Sequence, residues 1–424
     1  MSRNALILVE GQARGNGIRY IQAARRLGFH PITLSVDPTQ YEYLAAERSE
    51  AIRVDTTNLD TLIRECSRLR ETNDIAGITG FSGIDESVYA TVGKLCRHFD
   101  LPGPNPELIE RCCDKFSQRQ LLAEAGVPIP AYRMALNVAE VESSVAEIGF
   151  PVIVKPAIGS GSIGVRLCRN ADELADHTTY LLGGKHIWPS PPRILVEEFA
   201  RGPFYSVEIM GNEVIGIVAV DFGPPPHFVF RETTFPAPLA EDDHDRIVDV
   251  SLRCLQALGL NWGPTNIELR LTNHGPVVIE VNPRLAGALE PELVQLASGV
   301  DLVTEHIKLV VGEEWDLRRR HLQTAAARFL VADCDGTLDW IDGGSQAIAV
   351  PGVAEIKLYV EPNAPIFRKG DFRDWMGHVV AVSPSLAQTE AILQLAVDLI
   401  DWSITPLSGE QERSAAPRLP PTER

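Results

Sequence analysis

A lysine lies inside an apolar run that leads into a glycine-rich loop. The segment VIVKPAIGSGSIG, residues 152–164, carries Lys155 as its single charge. An ammonium group within an apolar strand is costly unless an anion or a carboxylate meets it. Small residues let backbone N–H groups approach phosphate oxygens, so the pattern predicts a phosphate site. The spacing differs from that of a P-loop, and a hairpin with an edge lysine stays open as the alternative.

Two later segments, NIELR and VVIEVNPR, have the pattern of neighbouring antiparallel strands that carry acids. Glu280 and Asn282 are two residues apart, so they point to the same face, and Glu268 can lie beside them on the adjoining strand. Carboxylate and amide oxygens suit Mg²⁺ or Mn²⁺. Arg284 follows two residues on and is placed to meet an anion held by the metals. A solvated strand with alternating acids is the alternative.

Strands and helices are needed to position these residues. Over residues 1 to about 110 the sequence alternates between strand patterns and helix patterns. Strands are predicted for NALILVEG, HPITLSVD and AGITGFSG, and helices for IRYIQAARRLG and DESVYATVGKLCRHFD. Such alternation predicts a doubly wound parallel sheet, an α/β arrangement. The turn GQARGNG lacks the G-x-G-x-x-G register, so a plain strand–helix turn is favoured over a dinucleotide site. A single helix is predicted over about 106–125, ending at Gly126.

The rest of the chain mixes strands with fewer helices, which predicts α+β structure. Strands are expected for RILVEEF, YSVEIMG, EVIGIVAVD, GPTNIELRL, PVVIEVNP, AAARFLVAD, VAEIKLYVE and HVVAVSP. Helices are expected for ADELADHTTYLLGG, DRIVDVSLRCLQALG, residues 288–312 and the closing LAQTEAILQLAVDLIDW. The polar, proline-rich tail from about residue 406 is expected to be disordered.

Composition narrows the class of protein. The net charge of −18 argues against a nucleic-acid partner, which would require a basic face. No apolar run approaches the roughly 20 residues that span a bilayer, and the N-terminus does not have the pattern of a signal peptide, so no membrane partner is expected. The seven cysteines are scattered and lack metal-ligand spacing. They indicate reduced thiols and a cytoplasmic location.

The lysine, the glycine loop, the paired acids, the asparagine and the arginine, in this order, resemble the ATP-grasp carboxylate–amine ligases. The resemblance covers about residues 1–320, and the segment NPRLAGALEPELV together with the last 80 residues is most similar to the L-amino-acid ligase branch. That branch joins unprotected amino acids into dipeptides, some of them antibiotics. The resemblance implies an ATP-grasp fold with these parts: an N-terminal α/β domain (1–110), a small ATP-grasp subdomain (111–195), a large subdomain with the metal site (196–323), a C-terminal α/β subdomain (324–405) and a tail (406–424).

Roles follow from the resemblance for the phosphate and metal residues. Lys115 and Lys155 are implied to bind the phosphates of ATP, and Lys155 and Arg284 to act in catalysis, with Arg284 steadying an acyl phosphate. Glu268, Glu280 and Asn282 are implied to hold two Mg²⁺ ions, with Mn²⁺ as an alternative. The loop residues implied to cover the triphosphate are Gly159, Ser160, Gly161, Ser162 and Gly164.

The resemblance also implies an adenine-binding hinge in LVEEFARG. Adenine would contact the side-chain carboxylate of Glu197 and backbone groups of Glu198, Phe199 and Ala200. Many relatives have a glutamate for the ribose hydroxyls where this chain has Phe204. Glu208 is therefore expected to take over part of that role.

Substrate residues are sought in the stretch PPPHFVFRETTFPAPL, whose single acid is Glu232. Glu232 is a candidate partner for a substrate ammonium group, with a structural salt bridge as the alternative. His227 is a candidate for the same pocket, with an exposed loop histidine as the alternative. The expected activity is ATP-dependent amide formation between an amino acid, or an amino-acid derivative, and a second amino acid, with release of ADP and phosphate.

The predicted partners are small-molecule amino acids, and a homodimer is one assembly that the resemblance allows. Two other classes of function stay open. One is an ATP-grasp carboxylase or purine-pathway enzyme, and the other is a nucleotide-binding module without catalysis. The longer α/β ending argues against the first, and Arg284 beside a complete metal triad argues against the second.

Overall fold

The structure, a computed structural model, describes residues 3–10, 16–81, 86–183 and 193–406. The first four strands form a parallel sheet in the order β3-β2-β1-β4, which confirms the predicted doubly wound arrangement. The elements are β1 (Arg3–Val9), α1 (Gly17–Arg26), β2 (His30–Ser35), α2 (Glu42–Ala46), β3 (Glu50–Arg53), α3 (Leu59–Arg70), β4 (Asn73–Gly80) and α4 (Ser87–Phe99). Most of the GQARGNG turn, residues 11–15, lies outside the described residues, as does the Ser-Gly pair that follows Phe81.

The single helix predicted over about 106–125 is wrong, because two helices occupy that range. They are α5 (Pro106–Cys113) and α6 (Lys115–Glu124). Asp114 between them has extended backbone, and its carboxylate accepts a hydrogen bond of 2.9 Å from the N–H of Ser117. Asp114 is thus an N-cap that starts a new helix. As a result, Lys115 is the first residue of α6.

A small antiparallel sheet follows, with strand order β5-β8-β6-β7. It is built from β5 (Tyr132–Ala135), α7 (Val138–Ile148), β6 (Val152–Pro156), β7 (Arg166–Cys168), α8 (Ala171–Gly183) and β8 (Ile194–Glu198). The glycine loop joins β6 to β7. The hinge begins at the end of β8. Because β8 is antiparallel to β6, the hinge starts beside Val152 at the beginning of β6, whereas the glycine loop leaves β6 after Pro156.

A large sheet of eight strands carries the acidic residues. Its order is β13-β12-β9-β10-β11-β14-β18-β16. The elements up to its sixth strand are β9 (Phe204–Met210), β10 (Glu213–Phe222), β11 (Phe230–Phe235), α9 (Glu241–Leu258), β12 (Pro264–Thr272), β13 (Gly275–Asn282), α10 (Glu290–Ser298), α11 (Leu302–Val310) and β14 (Thr324–Val331). The sheet is continuous across the expected boundary at 323/324, so the domain limits stay predictions.

The C-terminal part completes this sheet and adds a second, three-stranded sheet in the order β17-β15-β19. Its elements are β15 (Gly336–Asp342), α12 (Gly344–Ala347), β16 (Val353–Leu358), β17 (Pro365–Ile366), β18 (Trp375–Ser383), α13 (Leu386–Asp398) and β19 (Asp401–Pro406). The closing helix predicted through Trp402 is wrong at its end: α13 stops at Asp398, and Trp402 lies in β19, which pairs with β15. The tail from 407, predicted to be disordered, lies outside the described residues.

One face of β12 and β13 belongs to the hydrophobic core. Ile267, Leu269, Val278 and Val281 are buried there together with Val207 of β9. The period-2 alternation therefore turns the polar residues of these strands to the opposite face. All seven cysteines are free thiols. In the described part of the chain, no helix is both long enough and apolar enough to cross a membrane.

Candidate active site

The two acidic segments are neighbouring antiparallel strands, as the sequence predicts. In the β12–β13 ladder Glu268 lies opposite Glu280, and Asn266 lies opposite Asn282. The strand on the other side of β12 is β9, which places Ser206 beside Glu268 and Glu208 beside Asn266. Two rows of polar side chains therefore cross three strands on one face. Like charges directly opposite each other are destabilising, so this face requires a cation.

Lys115 supplies one positive charge to this face. Its ammonium group lies 2.7 Å from Oε1 of Glu280 and also donates to the carbonyl of Gly159 in the glycine loop. Burial opposes the charge of Lys115, but Glu280 and other nearby carboxylates outweigh burial and raise its pKa. Burial likewise opposes the charge of Glu280, yet Lys115 and Lys155 lower its pKa. Lys115 thus links the predicted metal residues to the loop predicted to cover the phosphates.

Among the carboxylates of the two rows, Glu268 is the one whose negative charge is least balanced by nearby positive charge. Burial, followed by the charge of Glu280, raises the pKa of Glu268 to about 8. Two half-buried carboxylates and the amide oxygen of the buried Asn282 form a set of hard oxygen donors with too little positive charge around it. These residues fit Mg²⁺ or Mn²⁺, so the assignment of Glu268, Glu280 and Asn282 as ligands stays in place as a prediction.

Lys155 is held by an acid from the hinge strand. Its ammonium group lies 2.6 Å from Oε2 of Glu197, while Oε1 of Glu197 lies 2.6 Å from Nε of Arg119. Burial lowers the pKa of Lys155, although Glu197 opposes that effect. The Glu197 carboxylate therefore points inward to two cations. The structure does not turn it toward the hinge surface where adenine was predicted.

The backbone of the hinge is also partly occupied. The N–H of Glu198 donates to the carbonyl of Ala131 at 2.8 Å, so it is not open to a base. The side chain of Glu198 is exposed, and Phe199 and Ala200 are half-buried. The backbone groups of Phe199 and Ala200 stay predicted contacts of the adenine ring.

An aromatic cluster lies between the hinge and the metal residues. The guanidinium carbon of Arg270 is 5.2–5.9 Å from the ring centres of Phe199, Phe204, Phe222 and Phe228. Its Nη1 donates to the carbonyl of Gly202 at 2.6 Å. Arg270 stands two residues after Glu268 on β12 and pairs with Phe204 across β9. Arg270 thus lies beside Phe204, the position at which many relatives are predicted to carry a ribose glutamate.

Glu208 does not lie at the hinge. Its Oε1 accepts a hydrogen bond of 3.1 Å from Asn266, and its carboxyl group contacts Glu290 at the start of α10. Glu208 and Phe204 belong to one strand, and four residues of strand span about 13 Å. The structure therefore brings Glu208 to the metal residues rather than to the ribose region, and the ribose role predicted for it has no support in these contacts.

Arg284 is anchored by an acid from the N-terminal domain. Its Nε lies 2.7 Å from Oε1 of Glu86, the residue that precedes α4. Both side chains are largely buried, and Nη1 of Arg284 also donates to the carbonyl of Leu285 at 3.1 Å. Arg284 thus remains beside Asn282, where the sequence predicts it, and the N-terminal sheet contributes to its position.

The glycine loop adopts backbone that only glycine readily allows. Gly159, Gly161 and Gly164 have φ values of 136°, 66° and 71°, and Ser162 also has a positive φ of 60°. Backbone of this kind is suited to presenting N–H groups to an anion. The C-terminal end of the loop is held by a buried residue that the sequence analysis missed: Nε2 of His177 is 2.9 Å from the carbonyl of Gly164.

The two substrate candidates lie at the junction with the C-terminal part. Glu232 forms an ion pair of 2.7 Å with Arg328, its direct neighbour across β11 and β14. This contact matches the structural salt bridge that the sequence left open. His227 is exposed, as its alternative predicted, and its ring lies against Gly370. Neither candidate contacts the residues around Glu280.

Besides His177, sequence reasoning missed further residues that contact the predicted ones: Glu86, Arg119, Arg270 and Glu290. Arg270 and Glu290 stand in segments that were singled out, NIELR and NPRLAGALEPELV. The period of two after Glu268 could have identified Arg270. Glu86 and Arg119 come from distant elements, and nothing in their local sequence indicates which side chains they meet.

Comparison with known families agrees with this geometry. Residues 114–318 match the family described as carbamoyl-phosphate synthase L chain, ATP binding domain, and residues 328–405 match the L-amino acid ligase C-terminal domain 2. The chain belongs to the ATP-grasp carboxylate–amine ligase family. Family members are ADP-forming ligases, and the mixed α/β architecture described above is the ATP-grasp fold.

Relatives of this ATP-grasp chain include an uncharacterized protein, y4rH, from Sinorhizobium fredii (strain NBRC 101917 / NGR234). It is 62% identical over 406 residues, which cover 96% of this chain and 84% of that protein. Human carnosine synthase 1 is 29% identical over 252 residues, which cover 55% of this chain but only 30% of that protein. The crystal structure of an L-amino acid ligase from Bacillus licheniformis superposes with a TM-score of 0.78 at 20% identity, covering 96% of this chain and 100% of that one.

Proposed function

We propose that this ATP-grasp ligase joins an amino acid, or an amino-acid derivative, to a second amino acid in a peptide bond. The carboxylate of the first substrate would accept the γ-phosphoryl group of ATP to form an acyl phosphate. The amine of the second substrate would then displace phosphate, so that ADP and phosphate are released.

One observation carries this proposal: three cations from separate parts of the chain converge on the carboxylate face of β12 and β13. Lys115 contacts Glu280, Lys155 lies within reach of the Glu280 charge, and Arg284 follows Asn282. A carboxylate substrate and a triphosphate repel each other. Convergent cations offset that repulsion and stabilise the charge of the phosphoryl group in flight.

The chain's own residues have distinct tasks in this scheme. Lys115 and Lys155 bind phosphate oxygens, and Arg284 orients the carboxylate that is activated. Mg²⁺ held by Glu268, Glu280 and Asn282 would supply further charge neutralisation of the triphosphate. The glycine loop, from Gly159 to Gly164, excludes water, which would otherwise hydrolyse the acyl phosphate. Most of the rate then comes from positioning the reactants.

The C-terminal part favours peptide-bond formation over bicarbonate chemistry. Residues 328–405 match a domain described for L-amino acid ligases, and the two relatives reported above with a named activity are an L-amino acid ligase and a carnosine synthase.

The test is a screen of the purified full chain with ATP, Mg²⁺ and all pairs of the proteinogenic L-amino acids plus β-alanine. Phosphate release is measured first, and products are then identified by mass spectrometry. We expect a dipeptide with equal amounts of ADP and phosphate. Hydroxylamine in place of the second amino acid should give a hydroxamate of the first. AMP and pyrophosphate as products, or ADP formation that no amino acid stimulates, would overturn the proposal.

A further inference from the structure

Two glutamates face each other beside the predicted metal residues. Glu208 and Glu290 are 0% and 3% exposed, and their carboxyl groups lie within hydrogen-bonding distance of each other. In each of them Oε2 receives no hydrogen bond from any donor in the described part of the chain. Burying two acids in contact is costly unless a positive charge or a proton lies between them.

The hydrogen-bond partners of the pair do not supply that charge. Asn266 donates to Oε1 of Glu208 at 3.1 Å and to the hydroxyl of Ser206 at 2.5 Å, and both of these partners are neutral. Burial raises the pKa of Glu208 to about 7 and raises that of Glu290 well above its usual value, with Glu208 adding to the effect. In the absence of a cation the pair therefore keeps a proton near neutral pH.

Arg284 lies close enough to lower the pKa of both carboxyl groups. The loop from Arg284 to Glu290 connects the three residues, and the backbone of Ala286 within it helps to lower the pKa of Glu208. In an α-amino acid a single carbon separates the carboxylate from the ammonium group. A substrate whose carboxylate meets Arg284 thus brings its ammonium group toward the unmatched oxygens.

We infer that Glu208 and Glu290 bind the ammonium group of the amino acid whose carboxylate is activated. The inference rests on the proposed function and narrows its substrate class to amino acids with a free amine. An ammonium group offers three N–H donors, so it can donate a hydrogen bond to each of the two unmatched oxygens. Glu232 is less suitable for this task, because its carboxylate is already paired with Arg328.

The experiment uses the full chain with ATP, Mg²⁺ and hydroxylamine, and ADP formation is followed. The first substrate is the amino acid that gives the highest rate among the 20 proteinogenic ones and β-alanine. It is compared with the carboxylic acid that has the same skeleton but no amine. The wild type is expected to use the des-amino acid with a KM at least about 10-fold higher, since a charge-assisted hydrogen bond is lost.

Glu208→Gln and Glu290→Gln keep the shape of each side chain and remove its charge. Each is expected to raise the KM for the amino acid about 10- to 100-fold, while the KM for ATP and that for the des-amino acid change less than about 2-fold. Glu292→Gln is the matched control. Glu292 is buried on the same helix and also has an unmatched oxygen, but it is paired with Arg19 at 2.6 Å. The KM values of the Glu292→Gln variant should equal those of the wild type.

The outcomes separate this inference from the proposed function. A wild type that no amino acid stimulates overturns both. An active wild type that uses the des-amino acid equally well, or glutamine variants whose amino-acid KM is unchanged, overturns the ammonium site alone. A shift in the Mg²⁺ requirement of the variants without a change in amino-acid KM would also overturn it, because the pair would then hold a metal. If a variant does not fold, equal use of the des-amino acid by the wild type still overturns the ammonium site.

Discussion

Glu197 holds Lys155 across the small sheet, with 2.6 Å between Oε2 and the ammonium nitrogen. Arg119 meets the other oxygen of Glu197, and none of the three side chains is more than 4% exposed. The position of the predicted phosphate lysine therefore depends on an acid of the hinge strand. Although burial opposes ionisation of Glu197, the two cations outweigh it and lower the pKa of this carboxyl group.

Glu197→Gln should destabilise the protein strongly. The substitution leaves two buried cations without a carboxylate, and loss of one partner from a buried ion pair costs about 3–5 kcal/mol. Urea unfolding of both proteins measures the change in the free energy of unfolding. Glu147→Gln is the control, because Glu147 and Arg133 form a pair that is about half exposed. It should cost less than about 1 kcal/mol. Equal effects of the two substitutions would mean that the Glu197 cluster is not a structural unit.

Glu280→Gln should abolish most activity while the fold persists. The substitution removes one of the two charges predicted to hold Mg²⁺ and also the partner of Lys115. We expect the rate of ADP formation to fall by at least about 100-fold, comparable to the loss of one strong electrostatic contact in a transition state. Thermal unfolding is measured in parallel, with Glu213→Gln, an exposed acid on β10, as the control. A Glu280→Gln protein with a near wild-type rate would show that the metal assignment is wrong.

Arg270→Met should weaken nucleotide binding and leave the amino-acid KM unchanged. Arg270 lies among four aromatic rings between the hinge and Glu268, where adenine and ribose are predicted. A cation over aromatic rings contributes about 0.5–2 kcal/mol, so the KM for ATP should rise about 2- to 30-fold.

The matched control for Arg270 is Arg319→Met. Arg319 also lies over an aromatic ring, 5.9 Å from the centre of Phe235, and donates to the carbonyl of Ile215 at 2.8 Å. It has no contact with the hinge residues among those described. Its substitution should leave the KM for ATP unchanged. If both substitutions raise that KM equally, the effect of Arg270 is a general loss of packing in the sheet.

The pairing of β12 with β13 could be predicted because each strand alternates polar and apolar residues. That period fixes which side chains share a face, so Glu268, Glu280 and Asn282 were brought together correctly. The parallel N-terminal sheet could be predicted for a similar reason, since strand and helix patterns alternate there. Patterns of this kind report local structure and the face that is buried.

Contacts between distant elements could not be predicted in this way. Arg119 meets Glu197 and Glu86 meets Arg284 only because the tertiary fold brings separate sheets together. The break at Asp114 was missed because helix-compatible residues stand on both sides of the cap. The end of α13 was missed because an apolar run such as LIDW suits either a helix or a strand, and pairing with β15 decides between them.

Glu232→Gln should affect stability rather than substrate binding. Glu232 and Arg328 are each about one quarter exposed and pair directly across β11 and β14. A cross-strand pair of opposite charges at this exposure contributes about 1 kcal/mol or less. The amino-acid KM should stay within about 2-fold of the wild-type value. A 10-fold rise in that KM would instead support the ammonium role predicted from the sequence.

A double-mutant cycle separates the two interpretations of Glu232. Arg328→Gln removes the same ion pair from the other side, so it should lower the free energy of unfolding by a similar amount. The double variant should then cost little more than either single one. Additive losses would show that Glu232 has another partner.

Stability should fall as the pH drops from about 6.5 to about 4, and His177 should account for part of the loss. Burial lowers the pKa of His177 to about 4, while an unfolded histidine titrates near 6.5. The unfolded chain therefore binds this proton first, so the contribution is fully present above about pH 6.5 and is lost progressively down to about pH 4. The expected slope is about 1.4 kcal/mol per pH unit for this residue.

His177→Gln isolates that contribution, because glutamine cannot be protonated and its amide can still donate to the carbonyl of Gly164. Urea unfolding at pH 7, 6, 5 and 4 should give a shallower decline for this variant by about 1.4 kcal/mol per pH unit. His244→Gln, at an exposed site on α9, should follow the wild type. His306 is a second contributor with the same sign, since burial lowers its pKa to about 3, and it remains in every variant of the series. Parallel curves for the wild type and His177→Gln would show that His177 is not buried in its neutral form, and that the end of the glycine loop is held by other contacts.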